Sequence, residues 1–120
     1  MLRKEITYTD YDGNERTEVH YFNLNKAEVV KMEMSTSAGL SNELTKIIET
    51  KDAPSIIKFM EDLILKSYGE KTPDGRRFVK SHELSEAFSQ TEAYTQLFME
   101  LCTNSDAAAD FVNRVIPSEV

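Results

Sequence analysis

Four cations, Lys71, Arg76, Arg77 and Lys80, fall within ten positions of the stretch SYGEKTPDGRRFVKS (67–81), together with Gly69 and Gly75. Phosphate cradles and nucleic-acid contacts are built from such residues, because glycine lets backbone amides approach an anion that the cations neutralise. These glycines, however, miss both the G-x-G-x-x-G and the G-x-x-x-x-G-K-[ST] frames. Glu70 and Asp74 cancel about half of the local charge. Thr72-Pro73-Asp74-Gly75 matches a β-turn with proline at its second position, and Phe78-Val79 follows as an apolar anchor. The stretch is therefore read first as a turn joining two helices. As a contact, Arg76 and Arg77 suit the acidic face of a protein partner, or of a second copy of this acidic chain, better than they suit phosphate.

The other residues with chemical potential are sparse. The two histidines, His20 and His82, fall in different segments, and neither has a nucleophile and an orienting carboxylate around it in the local sequence. His82 and Glu86, spaced i, i+4, share a helical face, but without a second histidine or a cysteine they read as a solvated surface rather than a metal site. Carboxylates such as Glu28 and Glu33, Glu43 and Glu49, or Glu61 and Asp62 lie among lysines on polar faces, away from any setting that would tune them for acid–base work. Cys102 stands in the apolar pattern of LFMELC and reads as a core thiol suited to a reducing compartment. No catalytic group, cofactor site or metal site is expected.

The elements that position these residues are legible from periodicity. Leu2, Lys4, Ile6 and Tyr8 share one parity, and Val19 and Tyr21 share a face after Tyr11-Asp12-Gly13-Asn14, which predicts a β-hairpin over about residues 3–22. Asn25-Lys26-Ala27-Glu28 has the form of a capping box and predicts a short helix running to about Met34. The small, polar residues Ser35 to Gly39 predict a loop. Leu40, Leu44, Ile47 and Ile48 then predict a second helix ending near Thr50. Asp52 as N-cap and Pro54 in the first turn open a third, whose apolar face includes Ile56, Ile57, Phe59, Met60, Leu63, Ile64 and Tyr68, with Gly69 as its C-terminal cap. Past the basic stretch, Ser81 begins a helix carrying Leu84, Ala87 and Phe88. Ser89 or Thr91 begins the next, with Tyr94, Leu97, Phe98 and Leu101 as its stripe. Ser105 caps a last helix carrying Ala108, Phe111, Val112 and Val115, stopped by Pro117. The expected class is α+β, mostly helical: an N-terminal hairpin (1–22) followed by five or six short helices (23–116) in one domain spanning 1–120.

The bulk numbers narrow the function further. A length of 120 residues suits a single core, and a hydrophobic fraction of 40% with 29% charged residues suits a folded globular chain. A net charge of -7 repels phosphate and opposes nonspecific binding to nucleic acid or anionic membrane. The longest apolar run, Leu63-Ile64-Leu65, is far short of a membrane span, and MLRKEITYTD lacks the apolar stretch of a signal peptide.

Several blocks in order carry a resemblance: Tyr-Gly-Glu-Lys with Asp-Gly and a basic pair (68–77), Phe-Ser-Gln-Thr-Glu-Ala-Tyr (88–94), Leu-Phe-Met-Glu-Leu (97–101), and Ala-Ala-x-x-Phe-Val-Asn ending at Pro117. With a weaker likeness at the TYTDYDGNERTE hairpin, the chain resembles the small tail assembly chaperones of long, non-contractile-tailed phages and prophages of Gram-positive bacteria. The resemblance implies a non-enzymatic, non-virion protein in the host bacterial cytoplasm. Such a protein would bind the tape measure protein and keep it soluble while major tail protein polymerises around it. It also implies a short form, ending at Val120, of a protein that relatives extend by frameshifting. Small size and acidity fit a second reading as well, a prophage-encoded adaptor or inhibitor that binds a host protein. Exposed members of the last two helices, Tyr94, Phe98, Met99 and Phe111, are the nominated partner-binding residues beside Arg76 and Arg77, and the hairpin edge or the last helix is the expected route to self-association.

Overall fold

Strict alternation in LRKEITYT and ERTEVHYF produces two strands, β1 (Leu2–Thr9) and β2 (Glu15–Phe22), paired antiparallel with Leu2 opposite Phe22 and Thr9 opposite Glu15. The computed structural model describes residues 1–31 and 38–117. In the connecting turn Gly13 takes φ +85°, a left-handed conformation that glycine adopts without a Cβ penalty. Asp10 organises the same turn: its Oδ1 accepts the amides of Asp12 and Asn14, both at 2.9 Å, while Arg16 donates to Oδ2. The Arg16 guanidinium and these amides hold the Asp10 carboxyl below its ordinary range.

Helix α1 (Lys26–Lys31) starts with the anticipated capping box. The Asn25 side chain accepts the Glu28 amide at 2.8 Å, and Glu28 Oε1 accepts the Asn25 amide at 3.0 Å. The expected continuation to Met34 and the loop residues Ser35 to Ser37 lie outside the described residues. Ala38 and Gly39, expected in that loop, instead open α2 (Ala38–Thr50). Small side chains look loop-like in sequence, yet a glycine in the first helical turn exposes an amide that has no intrahelical partner anyway. Helix α3 (Ala53–Ser67) begins after Asp52 with Pro54 in its first turn, as the spacing predicts.

The end of α3 departs from expectation. Tyr68 turns extended and Gly69, rather than capping the helix, enters a strand, β3 (Tyr68–Lys71), which pairs with β2 through Phe22↔Tyr68 and Tyr21↔Gly69. The basic stretch is the tip of a second hairpin, closed by β4 (Phe78–Val79), and not a simple helix–helix connector. Its turn is the expected one: the Gly75 amide donates to the Thr72 carbonyl at 2.9 Å, with Gly75 at φ +75°. Two forces divert the chain. Beside Phe22 the β2 backbone has a free edge to satisfy, and the Tyr68 ring stacks on Phe88 at 4.2 Å.

Three helices finish the chain: α4 (His82–Ser89) capped by Ser81, α5 (Glu92–Thr103) capped by Thr91, and α6 (Ser105–Val115). The α6 cap is Asn104, one residue before the expected Ser105, because the extended Asn104 turns its side-chain oxygen onto the Ala107 amide at 3.1 Å. The sheet order is β1-β2-β3-β4. Helices cover the face of the sheet that carries Leu2, Ile6 and Phe22, which join Met60, Leu63, Ile64, Phe88, Leu97, Leu101, Phe111, Val112 and Val115 in one core. On the other face, Arg3, Glu5, Thr7 and Thr9 of β1 are exposed. The α+β, mostly helical architecture with its N-terminal hairpin is thus the one observed, enlarged by a second hairpin.

Candidate interaction surface

Beside the polar line of Glu92, Gln96 and Glu100, helix α5 sorts its side chains into three further lines, as a rotation of about 100° per residue requires. Ala93, Leu97 and Leu101 are buried; Tyr94, Phe98 and Cys102 are half-buried; Thr95, Met99 and Thr103 are exposed. The middle line is a half-open apolar strip. Tyr94 stacks on Phe98 with centroids 5.6 Å apart and meets Phe88 edge-on at 5.8 Å, so the strip continues inward as an aromatic chain through Phe88 and Phe22 to Phe111. Burial, together with the negative charge of Glu61 on α3 and the nearby Cys102, pushes the Tyr94 hydroxyl up to about 12. Helix α3 packs against α5, and Glu61 lies within electrostatic reach of Tyr94. One turn away on the same face of α3 stands Ile57, 45% exposed, while Met99 beside Phe98 is 52% exposed.

Of the four residues nominated on the last two helices, the structure brings Tyr94, Phe98 and Met99 together on α5. Phe111 is a correction: it is only 2% exposed and lies edge-on to Phe22 in the core, so it is not an exposed member of α6. Its i, i+4 relation to Val115 and contact with the α6 apolar face read equally as surface or core until the sheet is in place. Arg76 and Arg77 stand on a different element, exposed at the tip of the β3–β4 hairpin. Their backbone amides are tied to Asp74 Oδ1 and Thr72 Oγ1, and their guanidinium groups form no ion pair among the described residues. Sequence reasoning placed Ile57 on the core face and missed its exposure. The available signal was its position, flanked by Lys58 and one turn before Glu61.

Lys80 was grouped with the tip cations but works elsewhere. It is half-buried and donates at 2.5 Å both to the Asn23 carbonyl and to Glu28 Oε2, fastening the second hairpin to the start of α1. A groove of about 590 Å³ between α3 and α4 adjoins it, lined by Leu65, Lys66 and the serines Ser81, Ser85 and Ser89 at i, i+4, i+8.

The residues with reactive potential are dispersed. His82 is almost wholly exposed and faces Glu86 at 3.4 Å. His20 is packed against Phe88 at 5.2 Å, and burial pushes its imidazole below the ordinary range. Cys102 is half-buried, and burial pushes its thiol up, away from the thiolate form. Among the described residues no cluster of three or more His, Cys, Asp or Glu side chains could hold a metal ion, and no helix is long and apolar enough to cross a membrane.

What the geometry presents is an acidic domain with an apolar strip on α3 and α5 and a cationic hairpin tip, which suits binding another protein. Neither a curated protein nor a solved structure shows significant similarity to the chain. The profile of a family described as "Phage tail assembly chaperone" matches residues 1–120, the whole sequence, and the chain belongs to that family.

Proposed function

We propose that this protein binds the tape measure protein, keeps it soluble and helps recruit major tail protein during tail-tube assembly. It acts in the host bacterial cytoplasm without catalysis and is absent from the mature virion. The observation that supports this reading is the half-open strip of Tyr94, Phe98 and Cys102, extended by Ile57 and Met99 at the surface. A long helical client exposes apolar stripes of its own before the tube closes around it, and a groove between amphipathic helices is the standard seat for such a stripe. Met99 adds an unbranched thioether that adapts to irregular partners. The chain's net charge of -7 keeps the complex dispersed.

Co-expression with the tape measure protein encoded in the same genome tests this reading. The client is expected to shift from the insoluble to the soluble fraction and to co-purify as a complex. Equal client solubility with and without this chain overturns the proposal. One dominant protein recovered from uninfected host lysate, with no effect on the client, establishes the host-adaptor reading instead.

A further inference from the structure

We propose that β1 is a self-pairing edge, through which two copies of this chain join antiparallel about a two-fold axis with Arg3 of each opposite Glu5 of the other. Strand β1 is eight residues long and ends the sheet order, and no strand among the described residues pairs with its outer side. Its ladder to β2 fixes which backbone groups are free. The Asp10 amide donates to the Asn14 carbonyl at 2.8 Å, so by the alternation of an antiparallel ladder Tyr8, Ile6, Lys4 and Leu2 bond toward β2. The amides and carbonyls of Arg3, Glu5, Thr7 and Thr9 then point to the open edge. All four side chains lie on the helix-free face and are exposed.

Charge selects both the occupant and the register. Free edges are usually blunted by charged side chains, which make pairing costly. Here the charges of opposite sign are two residues apart, Arg3 and Glu5, and a two-fold pairing through Lys4 sets each against the other twice. Shifting one step either way sets Glu5 against Glu5 or Arg3 against Arg3, and a two-step shift toward the turn sets Arg3 against Thr9 and Glu5 against Thr7, leaving the charges uncompensated. Directly opposed like charges destabilise a pair and opposite charges stabilise it. The same register places Leu2 opposite Ile6 on the helix side. The one like-charge pair this register makes is Lys4 against the Lys4 of the other copy on the helix side, and there each ammonium is already paired with Glu100 of its own α5 at 3.3 Å. A cleft of about 260 Å³ runs beside this part of the edge, between Leu2 to Glu5 and the α5–α6 pair, and leaves room for the side chains of an incoming strand.

The test uses the full-length chain in sedimentation equilibrium at low salt, with circular dichroism to confirm that each variant is folded. The wild type is expected to dimerise. Arg3→Glu and Glu5→Arg should each raise the dimer Kd about tenfold, because each turns two attractive pairs into two repulsive ones. The double exchange R3E/E5R should restore it. Thr7→Pro, which removes one outward amide without touching the β1–β2 ladder, should also weaken the dimer, and the amides of Arg3, Glu5 and Thr7 should gain protection from hydrogen exchange as concentration rises. A wild type that stays monomeric at millimolar concentration overturns the proposal. So does a dimer indifferent to both the single charge changes and Thr7→Pro, or a double exchange that fails to rescue while remaining folded.

Discussion

Glu28 serves two elements with one carboxylate: Oε1 closes the capping box of α1 and Oε2 receives Lys80 from the second hairpin. Removing it leaves a half-buried ammonium with one fewer partner and an uncapped amide. Glu28→Ala is therefore expected to cost about 2 kcal/mol in urea unfolding. Glu28→Gln, which keeps an acceptor for the Asn25 amide, should cost less than half as much. His20 carries the pH dependence. Its Nε2 is buried without a hydrogen-bond partner, and its ring sits among Phe88, Tyr68 and the carboxylate of Glu18, with burial outweighing the attraction of Glu18. Because the folded-state pKa lies below the unfolded one, the unfolded chain takes up the proton first as pH falls. Stability tied to His20 is thus complete above about pH 6.5 and is lost progressively below it, down to the folded-state pKa. Unfolding free energies at pH 7, 6 and 5 should fall less steeply in His20→Phe than in the wild type. Parallel slopes would show that His20 is not buried as the neutral base.

At the scale of elements, the helix boundaries follow from caps and periodicity, whereas the second hairpin was hidden. Asp52, Ser81 and Thr91 each stand at the start of a helix where their types predict; Ser81 and Thr91 accept a first-turn amide, whereas Asp52 accepts the Ser55 hydroxyl, and all three contacts lie within a few residues. Tyr68-Gly69 reads as a helix end because a glycine there is a common cap, and the competing bond partner, β2, is more than forty positions away in the chain. Gly69 has a reason of its own to be glycine. A Cβ at this position would lie 2.7 Å from a ring carbon of Phe78 and 2.7 Å from the Val79 carbonyl oxygen. The ring could swing aside, but the carbonyl is fixed by the β3–β4 ladder, so the strand itself must give. Gly69→Ala is expected to cost about 1–3 kcal/mol, as overpacking does. It should also speed hydrogen exchange at Glu70 and Val79 while leaving the β1–β2 amides unchanged. Equal protection across both hairpins would mean that Phe78 does not lie over Gly69. The candidate surface was legible in the same uneven way. The α5 stripe shows in the sequence because it is local, but Phe111 and Ile57 exchange their expected roles. Which side of α6 or α3 meets the sheet depends on packing that no short window contains.

For the whole molecule, helices on one face of a sheet leave two surfaces that burial does not use: the open sheet face with its β1 edge, and the outer seam of α3 and α5. Residues in that seam divide by what else they do. Tyr94 and Phe98 pack against the core and are bound to the stability of the fold, whereas Ile57 and Met99 protrude. Substituting the protruding pair tests binding with little disturbance of folding, since exposed changes away from caps and buried groups usually stay within about 0.5 kcal/mol. The double variant Ile57→Ser, Met99→Ser should unfold at the wild-type urea midpoint and yet retain several-fold less tape measure protein in a co-purification. Phe98→Ala, by contrast, should lower both, with about 2 kcal/mol lost from the fold, because half of a buried aromatic is removed. Arg76→Ala with Arg77→Ala separates the two surfaces. A complex that survives this change and fails with the α3–α5 pair assigns the client to the apolar seam, whereas the reverse pattern moves it to the cationic hairpin tip. Retention of the client by both variants at wild-type levels would refute an interface at either place.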